Sequence, residues 1–231
     1  MNFETDVIET VHRTSDVKSI RFTKPQGFDY LPGQYLFMTL GSDSDQMTKH
    51  FTISSSPTEG FLEITKRLTG HPFANALANL RKGDKVSIMG PYGDFTFQGE
   101  HEKIGMLTGG IGITPLRSMI RYSIDKDLRA SMILLYSSSH ENDIVFGDEL
   151  SEIQRQSANI KVIETITRPG SSWRGMTGRI DAEMVMKFMP DYSERVFYTS
   201  GPQKMVDVMV SILRELKVPE AQIKQEYFPG Y

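Results

Sequence analysis

The chain has 231 residues, 39% of them hydrophobic and 24% charged, with a net charge of −3; that size fits one large domain or two small ones, and that balance excludes a basic nucleic-acid surface or an acidic disordered tail as its organising feature. The absence of cysteine excludes disulfides, cysteine-bound zinc and a cysteine-ligated iron–sulfur cluster within these residues. No apolar run reaches the ~18 residues of a membrane span and MNFETDVIET does not read as a signal peptide, so a cytoplasmic protein with no membrane span is expected.

Residues 1–98 read as strands. VKSIRF (17–22), QYLFMTL (34–40), HFTIS (50–54), FLEITKR (61–67) and KVSIM (85–89) are short β-rich runs. Turn chemistry separates them at KPQG, LPG, GSDSD, SSPTEG, RKGD and GPYGD. In FLEITKR, Leu62 and Ile64 point one way and Glu63 and Thr65 the other, which predicts one wet face. One short helix is expected at PFANALANLR (72–81). Six or so strands in this length predict a small antiparallel Greek-key barrel.

The pattern changes after FQGEHEK. IGMLT (104–108) and SMILLY (131–136) read as strands buried on both faces. LRSMIRYSI (116–124) puts Leu116, Met119, Ile120 and Ile124 on one helical face. Helix is expected at 148–156, 181–188 and 202–216, and strand at 160–166 and 195–200. This alternation predicts a parallel sheet with flanking helices over residues 99–231.

LTGGIGITPLRSMI (107–120) is a strand end, three glycines in four positions, then a helix. Gly109, Gly110 and Gly112, with Ile111 among them, open the backbone to a ligand; the helix start adds unpaired donors and partial positive charge, which suits a pyrophosphate. Thr114 is placed at the N-cap and Pro115 at the first helical position. A tight connection would need the same glycines for steric reasons alone. A second such turn, YTSGPQKM (198–205), carries Gly201, Pro202 and Met205. With the strand end YSSS (136–139), two such loops would line one cleft at the carboxyl ends of the strands.

Six segments in order resemble the ferredoxin–NADP reductase family of two-domain flavoproteins: LPGQYL (31–36), KHFTISSSP (49–57), KGDKVSIMGPYGDF (82–95), LTGGIGITPLRSM (107–119), YTSGPQKM (198–205) and QEYFPGY (225–231). The resemblance implies a flavin-binding barrel over residues 1–98 and an NAD(P)-binding domain over 99–231. Its chemistry would be hydride transfer from NADH or NADPH to FAD, or FMN, and then electron transfer onward. By position, Phe51 packs along the flavin and Thr52 offers its hydroxyl near N5. Ile64, Thr65 and Lys66 lie on a strand whose backbone contacts flavin. His71, Pro72, Phe73 and Ala74 open a helix at the flavin pyrophosphate. Glu226 and Phe228 match the C-terminal pair beside the nicotinamide, with Tyr231 a rival for the covering ring.

Three positions depart from the family pattern. Lys49 replaces an arginine, giving a point charge in place of a planar fork, with His50 beside it as partial compensation. Ala74 replaces a hydroxyl residue. Ser200 replaces a cysteine near the nicotinamide, so a reduced rate is expected. For the nucleotide, Ser137, Ser138, Ser139 and His140 supply hydroxyls but no Arg or Lys, and Glu141 repels a 2′-phosphate, which favours NADH slightly.

The leading reading is a reductase serving a separate acceptor: a ferredoxin, an oxygenase component or another redox protein. A flavin reductase releasing free flavin uses the same fold and fits Lys49 and Ala74. A non-catalytic nucleotide-binding electron-transfer subunit is the third reading; it has no use for Glu226 and Phe228.

Overall fold

The computed structural model describes residues 1–41 and 43–228. In chain order it contains β1 (Asn2–His12), β2 (Val17–Thr23), β3 (Tyr35–Leu40), β4 (Met47–Thr52), β5 (Phe61–Arg67), α1 (Pro72–Asn79) and β6 (Lys85–Tyr92). There follow β7 (Lys103–Gly109), α2 (Ile113–Asp125), β8 (Ser131–Ser138), α3 (Gly147–Gln156), β9 (Ile160–Ile166) and β10 (Met176–Thr177). The last elements are α4 (Ala182–Phe188), β11 (Val196–Gly201), α5 (Gln203–Glu215) and β12 (Ile223–Tyr227). No helix among the described residues is long and apolar enough to cross a membrane. Two compact units form: residues 1–98 with 117–122, and residues 99–116 with 123–231.

The first unit is a six-stranded antiparallel sheet in the order β4-β3-β6-β1-β2-β5. It curls until its edges meet: Ser54, just past β4, donates its N–H to Glu63 C=O of β5 at 2.7 Å. This is the expected Greek-key barrel. Inward residues of alternating strands, among them Ile20, Phe22, Leu36, Met38, Leu62 and Ile64, form its core, each contributing about 1.5–3 kcal/mol by burial. β1 has no counterpart among the predicted runs. Its wet face carries Asn2, Glu4 and Asp6, with Thr5 and Val7 buried between, so its mean hydropathy hides a good alternation. α1 ends two residues earlier than predicted because Leu80 is already extended.

The wet face predicted for β5 is corrected. Glu63 is 0% exposed and Thr65 5% exposed. Glu63 Oε2 accepts from Arg13 and Arg21, each at 2.8 Å, and its Oε1 accepts from Ser54 Oγ at 3.1 Å. Thr65 Oγ1 lies 2.9 Å from Ser54 Oγ and 2.8 Å from Ser19 Oγ. Two guanidiniums, Arg13 from the turn after β1 and Arg21 from β2, cover this face, so it is polar yet dry.

The middle of α2 belongs with the first unit. There Arg117, 2% exposed, pairs with Glu59 and donates to Ser54 C=O at 3.1 Å, and Ser118 Oγ donates to Ser55 C=O at 2.6 Å.

The second unit is a parallel sheet in the order β10-β9-β8-β7-β11-β12. Chain order runs outward from β7 through β8 to β10, then returns to the other side of β7 with β11. The switch point therefore falls between β7 and β11, where open α/β sheets bind ligands. Leu107, Ile133, Leu135, Ile163 and Phe197 pack with Val185 of α4 and Leu213 of α5 on one face. β12, read from sequence only as an aromatic tail, pairs parallel with β11.

Candidate cofactor-binding and active site

In the first unit, Thr52 ends β4 and is 9% exposed; its hydroxyl has no hydrogen-bond partner among the described residues. Phe51 is 8% exposed and faces the barrel core, its ring 5.5 Å from that of Phe73 in α1. His50 lies on the opposite face of β4, packed edge-on against Tyr35 and Phe37. Burial and then the charge of Lys49 hold its pKa below the usual imidazole value.

β5 pairs with β2 along one edge. Because Glu63 C=O turns away from β2, and alternate residues of an antiparallel ladder share a direction, Thr65 also aims its backbone N–H and C=O toward the β4 side. Ile64 faces the core and Lys66 is half-buried. Burial first, then Lys49 and Arg67, push the Lys66 ammonium down to about 8. Arg67 is paired with Asp16, which leaves Lys49 and Lys66 as the two lysines near enough to repel each other and to suit a phosphate. His71 precedes α1 without a side-chain capping bond, Pro72 opens the helix, and Ala74 is buried at 3%. The open edge of β5, the unpartnered Thr52 hydroxyl and the lysine pair fit a flavin with its pyrophosphate.

In the second unit, both glycine turns sit at the switch point and lock together. Thr108 Oγ1 donates to Ser200 C=O at 2.9 Å, and Ser200 Oγ donates to Gly112 C=O at 2.7 Å. A Cβ on Gly112 would lie 2.1 Å from Ser200 O, so no other residue fits there. Gly110 has φ +54° and Gly201 has φ +139°, both left-handed backbone that favours glycine. Tyr136 OH donates to Gly110 C=O at 2.9 Å and accepts from Val145 N–H at 3.2 Å. A Cβ on Gly109 would come 3.0 Å from Met205 Sδ. Ile111 is buried at 5%. The glycines therefore have a packing reason of their own, and the same packing turns the starts of α2 and α5 toward one switch point.

Thr114 is not the N-cap. A 3₁₀ turn over Gly110–Gly112 runs directly into α2, so Thr114 and Pro115 are its second and third residues, and Thr114 Oγ1 donates back to Ile111 C=O at 3.2 Å. Pro202 precedes α5. Ser200 is fully buried, its hydroxyl committed to Gly112.

Glu226 lies opposite Ser200 in the β11–β12 register. Its Oε2 is buried without a hydrogen-bond partner among the described residues. Burial pushes this carboxyl up to about 8. Phe228 donates its N–H to Gly201 C=O at 2.8 Å and is half-buried. Tyr231 lies outside the described residues.

Ser137 is half-buried, Ser138 buried and Ser139 exposed at the end of β8. Sequence reading stopped at this loop and missed the one after β9. There Thr167 N–H donates to Ser138 C=O at 3.0 Å and Arg168 N–H to Ser139 C=O at 2.9 Å. The exposed Arg168 thus stands beside the serines. Glu141, expected to repel a phosphate, accepts from Gly170 N–H at 2.7 Å. These neighbours are 29 residues apart in sequence, and only the β8–β9 pairing reveals them.

Two family models match in tandem: the oxidoreductase FAD-binding domain over residues 4–97 and the oxidoreductase NAD-binding domain over residues 106–211. The glycine betaine monooxygenase reductase subunit of Chromohalobacter salexigens is 30% identical over 230 residues, covering 96% of this chain and 62% of the relative. The chain thus spans about three fifths of the length of the curated relatives it matches first. The ferredoxin–NADP reductase B of Sorangium cellulosum is 28% identical, covering 97% of this chain and 95% of the relative. The flavohem-like FAD/NAD-binding domain of nitric oxide dioxygenase from Vibrio cholerae O1 biovar El Tor superposes with a TM-score of 0.87 at 21% identity, covering 97% of this chain and 98% of that one. With an FAD-binding and an NAD-binding domain in series on this fold, the chain belongs to the ferredoxin–NADP reductase-like family of flavoprotein oxidoreductases.

Proposed function

We propose that the protein takes a hydride from NADPH or NADH and passes electrons to a separate acceptor, a ferredoxin or an oxygenase component. The observation that carries this reading is Glu226: a half-buried residue whose Oε2 is buried without a hydrogen-bond partner among the described residues and whose carboxyl burial pushes up to about 8, in register with Ser200 beside the glycine turn. A module that only held nucleotide would gain nothing from so costly a group. The 231 residues contain no cysteine, so any cysteine-ligated iron–sulfur centre lies outside them; relatives named as reductase subunits of oxygenases support that division of labour.

Bound FAD supplies the hydride acceptor and the route for onward electrons. Thr52 can donate to or accept from a ring nitrogen through its one hydroxyl. Lys49, Lys66 and the start of α1 hold the flavin phosphates, and Thr65 offers backbone N–H and C=O at the edge of β5. The starts of α2 and α5 hold the nucleotide pyrophosphate, with Ser200 fixing the two turns against each other. Glu226 keeps a proton at neutral pH and lends it to the reacting site.

Arg168 is assigned to the 2′-phosphate, which allows NADPH beside the NADH favoured by the serine loop alone. In steady-state reduction of cytochrome c by the FAD-loaded protein, Arg168→Ala should raise KM for NADPH about tenfold and leave NADH unchanged, the loss of one charge-assisted hydrogen bond. Equal effects on both nucleotides would remove Arg168 from the phosphate, and absence of turnover with either would remove the reductase reading.

A further inference from the structure

We propose that Lys18 is a positioning residue for the flavin phosphate: from inside the barrel it fixes the far end of α1, so that the start of that helix stays at β4. This deepens the flavin-binding reading above and rests on it. Alternation along the strands puts Lys18 in the inward row of β2 with Ile20 and Phe22, and Lys66 in the inward row of β5 with Leu62 and Ile64. The two lysines stand directly opposite each other in the β2–β5 register. Opposed side chains on one face are close neighbours, and like charges there repel. The fold gives them separate tasks. Lys18 is 5% exposed, and its Nζ donates to Ala78 C=O at 2.8 Å and to Leu80 C=O at 3.4 Å. Lys66 lies instead near Lys49 of β4.

α1 brings no cap of its own at either end: His71 makes no side-chain capping bond, and the last turn holds no basic residue. The carbonyls that Lys18 reaches are among those a helix end leaves without intrahelical donors, and an ammonium there complements the negative end of the helix dipole. Eight residues make a helix about 12 Å long. It runs from β4, where Phe73 in its first turn meets Phe51, to β2, where Lys18 holds its last turn. Phe51 lies two residues from Lys49 on the same face of β4, so the start of α1 is kept on the side of the two phosphate lysines. His71 and Pro72 at that start are exposed. Both bonds of Lys18 go to backbone carbonyls. A buried ammonium is costly, and a methionine would fill the same core position at less cost, so what the charge secures is the placement of α1.

Titration of the protein with FAD, FMN and riboflavin, followed by flavin fluorescence, separates this role from a merely structural one, because riboflavin has the ring system without a phosphate. Lys18→Met should weaken FMN and FAD about tenfold and leave riboflavin within about twofold, whereas Lys18→Arg, which keeps a charged donor for the same carbonyls, should lose less than about threefold for any of the three. Thermal melts establish that each variant is folded; if Lys18→Met is not, Lys18→Gln carries the same comparison, with the same phosphate-dependent loss expected. Equal losses for all three flavins, or FMN affinity unchanged from wild type, overturn the proposal while leaving flavin binding intact. Wild-type protein that binds FMN no more tightly than riboflavin overturns the phosphate reading together with it.

Discussion

Glu226→Gln is expected to slow flavin reduction by NADPH about 10²-fold and, in the same protein, to raise the thermal midpoint at pH 8. The two effects share one cause. Burial lifts the folded-state carboxyl from its ordinary value of 4.5 to about 8. Between those values the folded protein keeps a proton that the unfolded chain releases, so stability falls as pH rises through that window. Glutamine does not titrate and escapes the loss. The gain should be absent near pH 4, grow through the window and level off above pH 8, reaching at least the ~2–4 °C that accompanies 1 kcal/mol in a chain of this size. Thermal melts of both proteins from pH 4 to 9, beside single-turnover rates, check it. A variant as fast as wild type, or one less stable at pH 8, contradicts the assignment.

Glu63→Ala is expected to destabilise the barrel as strongly as truncating a large core side chain. It leaves Arg13 and Arg21 facing each other over the space of a carboxylate that is 0% exposed. Removing one partner of a buried ion pair typically costs 3–5 kcal/mol. Side-chain exposures of 15% for Arg13 and 24% for Arg21 let water reach the guanidiniums, which argues for about 3 kcal/mol and a fall of about 6–12 °C in Tm. Ser54 also loses its bond to Glu63 Oε1, two residues beyond Thr52, so FAD should bind several-fold more weakly. Calorimetry and flavin-fluorescence titration measure the two effects. A Tm within 2 °C of wild type would show that the network contributes little.

Periodicity made much of this legible. The runs at 17–22, 34–40 and 61–67 and the alternation after residue 100 are strong patterns, and β2, β3, β5 and the parallel sheet follow from them. The glycine turns were visible because left-handed backbone and close approach leave few other residues possible. What stayed hidden depends on pairing between distant segments. β1 sets exposed Asn2, Glu4 and Asp6 against Phe3, Thr5 and Val7, an alternation whose mean hydropathy is too low to stand out as an apolar run. Glu63 reads as a wet position until Arg13 and Arg21 are known to lie over it. Thr114 resembles a cap because Thr-Pro often opens a helix, and nothing local shows the 3₁₀ turn before it. Arg168 comes beside Ser139 only through the β8–β9 register. The unusual state of Glu226 needs β12 beside β11, which an aromatic tail does not announce.

Anaerobic mixing of the FAD-loaded protein with NADPH, and in a parallel run with NADH, tests the central claim most directly. The visible absorption of the flavin should bleach within the mixing experiment with at least one nucleotide and return when an oxidised one-electron acceptor is added. A flavin spectrum unchanged by both nucleotides, in protein shown to hold FAD, would contradict it.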